Sequence, residues 1–525
     1  MNDPAGSRLR RRDLLSLIGA AAGGPAMYQA MTSLGFAADS RYRGPIRLEG
    51  DPKGASVIIL GAGLAGMTAA LELRQVGYKV EVLEYNGRPG GRNWTIRGGD
   101  TYTELGGATQ RCRFDDGLYL NPGPWRIPYH HHAILDYCRR FGVALEPFIQ
   151  LDHNAYLHAT TAFGGKPQRI REIKADFEGS IAELLAKATH QGALDEAVSK
   201  EDQEILLEAL RSFGALDDDF RYKASDMSAA FRGYARDPGG GLAAEPLNSQ
   251  PIALHDLLTS RLWRSLQNFS LYDFQTTMFQ PVGGMGRIGE AFARQIPNGI
   301  RYGSKVTSIH QDDRGVSVTF EDLSRGATAQ ETRADWCVCA LPLSILSELP
   351  INVSASMKAA IDAVPYASVV KTGLQFRRRF WEEDERIFGG ISYTDLPIRQ
   401  ISYPSSGFNS GGKGMLLGGY TWGGPNSYEL TAMAPGDRIR FAVECGAQIE
   451  NGVSVAWHRV PFTLGCAGEW TDETRRAHYD NLCQIDGRIV LAGEHASYIP
   501  AWQEGAILSA LDAITRLHRR VLETR

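Results

Sequence analysis

The sequence predicts an α/β protein: a largely parallel sheet wound with helices, a second mixed sheet, and a helical insertion. Three observations carry this reading. An apolar strand near residue 60 runs into a glycine turn and a helix, a second apolar strand and helix close the chain after residue 488, and strand-like alternation and helical periodicity occupy separate blocks between them. A chain of 525 residues exceeds what one core organises, so two or three domains are expected, and 43% hydrophobic content is enough to build them. A formal charge of −4 with no basic block argues against a nucleic-acid partner. Seven cysteines without a CxxC pair support neither a zinc ribbon nor a complete disulfide framework. Cys337 and Cys339, two apart on one strand, are expected to be buried packing residues.

At the N-terminus, Arg10-Arg11-Arg12-Asp13-Leu14-Leu15 precedes an apolar stretch from Leu14 to Met31 diluted by Gly and Ala. The pattern reads as a twin-arginine export leader over residues 1–37, which sends the protein to the periplasm or the medium. A basic helix or a membrane anchor is the alternative, and the run is too short and glycine-rich for a secure membrane span. Loss of the leader removes four Arg and two Asp and takes the charge from −4 to −6.

Val57-Ile58-Ile59-Leu60 reads as a buried parallel strand, the segment from Met67 to Val76 as a helix ending at Gly77, and Lys79 to Leu83 as the next strand: one βαβ unit. From Phe177 to Phe213 the chain is helical. Ile181, Leu184, Leu185 and Ala188 share an apolar face, and Ser199 with Asp202 forms a capping-box pattern before Ile205, Leu206, Leu210 and Phe213. Alternation such as Val316-Ser317-Val318-Thr319-Phe320 predicts strands between Arg301 and Leu349, and the Gly- and aromatic-rich stretch from Pro350 to Gln448 predicts the second sheet. Arg488 to Glu494 is strand then turn, and Glu504 to Leu522 a helix. In His130-His131-His132, adjacent helical side chains diverge by about 100° and cannot converge on one ion. No metal site is expected.

Gly61, Gly63 and Gly66 would be a weak GxGxxG alone. Here the triplet follows a strand and opens a helix, with Leu64 and Ala65 in its first turn, and Glu84-Tyr85 closes the next strand 23 residues after Gly61. That context predicts a dinucleotide site, with backbone N–H groups on a diphosphate and the Glu84 carboxylate on a ribose. Gly87-Arg88-Pro89-Gly90-Gly91-Arg92 follows at once and offers a second diphosphate clasp, which nicotinamide dehydrogenases do not need.

These motifs, together with Gly493-Glu494 near the end, resemble the flavin amine oxidases over residues 54 to 520, and within them the L-amino acid oxidases. The resemblance implies a discontinuous Rossmann-like FAD-binding domain of the GR2 type (38–115, 275–345, 455–525), a mixed-sheet substrate domain (116–165, 346–454) and a helical domain (166–274). It implies noncovalent FAD; Cys466 falls near a flavin-linking cysteine of monoamine oxidases, and flavin colour in an acid-denatured pellet would reveal such a link. Cofactor contacts are implied for Gly61, Gly63, Leu64, Ala65, Gly66, Glu84, Tyr85, Gly91, Arg92, the segment Gly123-Pro124-Trp125-Arg126, Val306 and Trp457. They are implied too for Gly493, Glu494, Trp502, Gln503, Glu504, Gly505, Ala506 and Ile507, where a helix N-terminus would face the flavin. Asn121-Pro122-Gly123-Pro124-Trp125-Arg126-Ile127-Pro128 is similar to the NxGPMRLP segment whose arginine binds the substrate carboxylate. A planar guanidinium suits that task because it donates two parallel hydrogen bonds. Lys371 matches the lysine that reaches flavin N5 through a water, Tyr420 a second carboxylate donor, and Ala501, Trp502 and Phe462 the substrate walls.

The expected activity is therefore oxidative deamination of an L-amino acid by O2, giving a 2-oxo acid, ammonia and hydrogen peroxide. The alternatives are an L-amino acid 2-monooxygenase, a primary amine oxidase, or a flavin-free binding protein of the GDP-dissociation-inhibitor type. The mobile histidine that venom enzymes carry before Val282-Gly283-Gly284-Met285 is missing, since no His lies between His255 and His310. A homodimer is the assembly the resemblance implies.

Overall fold

The computed structural model describes residues 40, 42–193, 198–242, 245–443 and 449–524. The predicted leader over residues 1–37 lies outside the described residues. Two compact units are present. One comprises the described residues up to Phe148, Met278–Arg378 and those from Gly411 onward; the other comprises Ile149–Thr277 and Arg379–Ser410.

In the first unit, β1 (Ser56–Leu60) turns into α1 (Leu64–Gln75), and β2 (Lys79–Leu83) returns parallel to β1 with Ile58 opposite Glu81. α2 (His132–Arg140) follows, then β3 (Ile300–Arg301) and β4 (Trp336–Cys339). β5 (Val369–Phe376), β6 (Gly414–Trp422) and β7 (Asn451–Ala456) form an antiparallel set in the order β7-β5-β6. The chain then comes back as β8 (Ile485–Asp486) and β9 (Ile489–Leu491) and ends in α3 (Gln503–Glu523). The first sheet reads β3-β2-β1-β4-β9-β8, parallel except for the β8–β9 pair. Strand order reverses beside β1, so the carboxyl end of β1, where Gly61 stands, is the switch point at which such sheets open a ligand crevice.

Alternation along β1 assigns its side chains to two cores. Val57 and Ile59 pack with Met67 and Leu73 of α1, Ile134 and Tyr137 of α2, and Ile507, Leu511, Ile514 and Leu517 of α3. Ile58 and Leu60 face the opposite layer, with Val316, Val318 and Phe320 from the strands that follow β3. Cys337 and Cys339 join this second core fully buried and unpaired, as their spacing predicts. The Arg438 guanidinium grips both oxygens of Glu104 at 2.6 and 2.7 Å, with both side chains buried. The helix Asp472–Cys483 starts with a reciprocal capping box between Thr471 and Thr474. Thr471→Ala should therefore cost about 1 kcal/mol of stability, read as a lower urea midpoint at unchanged slope.

The second unit holds the helical insertion and the strands Tyr156–His158, Gln168–Arg169, Ile391–Thr394 and Gln400–Ser402. Ile170–His190 and Lys200–Phe213 are separate helices, and Ser199 accepts the Asp202 N–H as the cap pattern predicts. The expected apolar face is corrected in part: Ile181 and Leu184 are exposed, as are Ile205 and Phe213, whereas Leu210 is buried with Ala182 and Ala186 and Leu185 and Leu206 pack against them; Asp176 and Gly179 are buried as well. Close approach is the reason. A Cβ at Gly179 would lie 2.3 Å from the Tyr222 ring, and one at Gly214 2.3 Å from the Ala182 Cβ. The buried Asp176 carboxylate then accepts from Arg232, Tyr222 and the Ile252 N–H. Midway along the helix, small residues and a buried ion pair thus take the inner face in place of Ile181 and Leu184. No helix among the described residues is long and apolar enough to cross a membrane.

Candidate active site

At the end of β1 the glycines build a cradle. A Cβ at Gly66 would fall 2.0 Å from the Gly61 carbonyl oxygen, whereas one at Gly63 would meet open space. Gly63 precedes α1 with no side-chain cap and no acidic residue in the first turn, so the helix amides are left to an outside anion. Gly91, at φ +56°, lies on the Gly63 backbone, where its own Cβ would be 3.2 Å from the Gly63 Cα. The Gly90 N–H donates to the Ala62 carbonyl. The second glycine motif is thus folded onto the first, which fits a shared diphosphate.

Glu84, at the end of β2, accepts the Ala62 N–H at 2.6 Å with one oxygen and the Asn86 backbone and side-chain N–H groups with the other. Its position beside the cradle suits a ribose. The Tyr85 ring stacks on Phe462 at 4.8 Å, which puts Phe462 on this ribose side. Val306 is buried in the strand whose first residue, Ser304, donates to the Glu84 carbonyl. Leu64, Ala65 and Ile507 are buried among the helices that cover the sheet.

Arg92 crosses to the other end of the unit. Its guanidinium donates to Glu494 at 2.7 Å and to the Cys466 carbonyl at 2.6 Å, while Glu494 also accepts the Ala501 N–H at 3.0 Å. Burial acts to raise the Glu494 carboxyl, and the Arg92 charge, the His495 ring and the Ala501 N–H outweigh it, leaving a carboxylate below its ordinary range. His495 and Tyr366 complete this cluster, with a 3.1 Å bond between ring nitrogen and hydroxyl, and burial drives the His495 imidazole down to about 4. Sequence reading missed both; the histidine directly after the Gly493-Glu494 signature was the one available signal.

Ala501 holds a left-handed φ of +65° just before Trp502, which opens α3 without a side-chain cap. The first amides of α3 at Gln503 and Gly505 are therefore presented like those of α1. A Cβ at Gly505 would lie 2.0 Å from the Ile499 carbonyl oxygen, and Ala506 donates to the Trp502 carbonyl at 3.4 Å. Gln503 donates to Asn93, a further residue that sequence reading missed. Glu504 turns away to α2, where its carboxylate accepts the Ala133 and Ile134 N–H groups at 2.9 Å and the Ser40 hydroxyl. The histidine run straddles the start of that helix: His130 and His131 are buried ahead of α2, His132 is its first residue, and His131 meets the Trp502 ring edge-on at 5.0 Å. Among the described residues no cluster of three or more His, Cys, Asp or Glu could hold a metal. Ala501→Gly should raise stability by about 1 kcal/mol, because glycine adopts this φ without strain; a melting temperature that falls would show the left-handed turn to be unstrained.

The segment Asn121 to Pro128 runs between these groups. The Trp457 indole donates to the Pro122 carbonyl at 2.8 Å, and a Cβ at Gly123 would collide with the Arg92 carbonyl oxygen at 2.0 Å. Pro124 is followed by Trp125 and Arg126, both 9% exposed or less. Across the β5–β6 register, Lys371 pairs with Tyr420. The Lys371 ammonium donates to the Gly123 carbonyl at 2.5 Å and lies 4.6 and 4.7 Å from the Tyr420 and Trp125 ring centres, and the Arg126 guanidinium lies 5.0 Å from Trp125. Burial drives the Lys371 ammonium down to about 7; the Cys466 thiol opposes the fall and the Arg126 charge reinforces it. Burial pushes the Cys466 thiol itself up to about 12. Arg126, Lys371 and Tyr420 are thus brought into one aromatic-walled, cationic cluster, a set suited to a small anion carrying an amine.

A mostly parallel sheet with a glycine cradle, a second glycine clasp and an ion pair between Arg92 and the buried Glu494 defines a flavin-dependent oxidoreductase. Residues 64–517 match the model of the flavin containing amine oxidoreductases, and the chain belongs to that family, with FAD as its cofactor. An L-amino-acid oxidase of Siganus canaliculatus is 29% identical, over 89% of this chain and 86% of that one. A flavin-dependent L-tryptophan oxidase of Lentzea aerocolonigenes is 28% identical over 87% and 97%. Among solved structures, the cyclohexylamine oxidase of Brevibacterium oxydans shares the fold, with a TM-score of 0.57 at 17% identity over 90% and 99% of the two chains.

Proposed function

We propose that the protein oxidatively deaminates L-amino acids to 2-oxo acids, with release of ammonia and hydrogen peroxide. The observation that carries this is Arg126, a buried guanidinium in the same aromatic cluster as Tyr420 and Lys371. A plain amine offers such a charge nothing to bind, whereas an amino acid offers a carboxylate. The flavin, when bound, takes two electrons and the α-hydrogen from the substrate and passes the electrons to O2. The protein residues bind and orient: Arg126 and Tyr420 hold the carboxylate, the rings of Trp125, Tyr420 and Trp502 exclude water, and Lys371 places a cation beside the site. Gly61 to Gly66, Glu84, Gly91, Arg92 and Glu494 hold FAD, noncovalently. Substrate reacts as the free amine, so its oxidation speeds up as pH rises.

The twin-arginine pattern supports export through the leader, and the family resemblance supports a homodimer. A peroxide-coupled screen over the common L-amino acids and their decarboxylated amines tests the activity. Turnover confined to amines overturns it, and mass spectrometry that finds an amide in place of a 2-oxo acid assigns the monooxygenase instead.

A further inference from the structure

Two cations share one indole. The Lys371 ammonium stands 4.7 Å and the Arg126 guanidinium 5.0 Å from the centre of the Trp125 ring, which is buried. That ring is fixed by further rings, Phe148 at 5.6 Å and Tyr420 at 5.2 Å. Among the described residues no carboxylate is bonded to the Lys371 ammonium: it donates to the carbonyls of Gly123 and Asn121, and its charged or titratable neighbours are Arg126, Cys466 and Tyr420. Two like charges brought out of water into one cluster need negative potential near them. At Lys371 two carbonyl oxygens and the π faces of Trp125 and Tyr420 supply it.

We propose that Trp125 is a positioning residue that keeps Lys371 protonated beside Arg126 by offering its π face to both. The proposal deepens the reading above and rests on it for its meaning in turnover, but its test needs no substrate. Lys371 reacts with trace acetic anhydride only when neutral, so its labelling in the purified holoenzyme, read by peptide mass spectrometry across pH 5 to 10, gives the midpoint of its titration directly. Removing the indole in W125L should lower that midpoint by about one pH unit, and W125F, which keeps a weaker π face, should lower it by less. K371M identifies the labelled peptide. Melting temperature and bound-flavin stoichiometry report whether each variant is folded. An unchanged or raised midpoint in a folded W125L overturns the proposal, as does a fall in W125F equal to that in W125L, since a remaining π face would then make no difference. Failure of the amino-acid screen leaves this titration readable, so the two claims fail separately.

Discussion

Arg126→Met should lower kcat/KM for the best L-amino acid by roughly 10²- to 10³-fold, while activity on the matching decarboxylated amine stays within a few-fold of its starting value. The asymmetry follows from where the guanidinium sits. Arg126 is 9% exposed and lies against Trp125, so a carboxylate that reaches it meets a desolvated charge, worth about 3 to 4 kcal/mol when truncated. A substrate without a carboxylate loses nothing by the change. Arg126→Lys should recover part of the loss, because it restores charge without the two-pronged geometry. Equal losses on acid and amine would remove Arg126 from substrate binding and assign it to the stability of the cluster. The same substitution takes away a like charge that depresses Lys371, so the lysine midpoint should rise in Arg126→Met.

Much of the cofactor side was legible because its signals are local. The strand Ser56–Leu60, the glycines at 61, 63 and 66 and the strand ending at Leu83 lie within one stretch of chain, and period-two alternation with a backbone-demanding turn specifies them with little help from elsewhere. The reach of Glu504 was not legible. It stands at a helix N-terminus, where a carboxylate reads as a dipole partner of its own helix, yet its oxygens serve Ala133 and Ile134, some 370 positions away. The stack of Phe462 on Tyr85 is equally long-range, and no spacing rule points to it. In the helix Ile170–His190 the apolar pattern misled at Ile181 and Leu184, because Gly179 and Ala182 admit Tyr222 and Gly214 so closely that small residues mark the inner face there, while Ile170 and Ile173 mark it in the first turn. Trp125 was visible as a motif position beside Arg126, but its second cation, Lys371, comes from β5, far along the chain.

Lys371 should make stability and reoxidation respond to pH in opposite senses. Its folded-state midpoint is about 7, against an ordinary lysine near 10.5, because burial penalises the ammonium. Below pH 7 the folded and unfolded chains both hold the proton, and the folded one carries the full burial penalty. Between 7 and 10.5 the unfolded chain holds a proton that the folded one has lost, so on this account stability rises with pH across that window, by a few kcal/mol in all. Solvent screens little of this, since the residue is 2% exposed. In Lys371→Met the penalty is gone, so the variant should be the more stable at pH 7 and its margin should shrink toward pH 10, which urea unfolding at both pH values measures. The cation has the reverse effect on chemistry. A charge beside the site favours electron transfer to O2, so reoxidation of enzyme reduced with dithionite should slow as pH rises through 7, and Lys371→Met should be about 10²-fold slower at low pH and flat throughout. Substrate deprotonation pushes amino-acid oxidation the other way, so the two limbs of a bell-shaped profile separate when each half-reaction is measured alone. Wild-type and variant reoxidation rates that run parallel across pH would show that the ammonium takes no part in oxygen chemistry, whatever its effect on the fold.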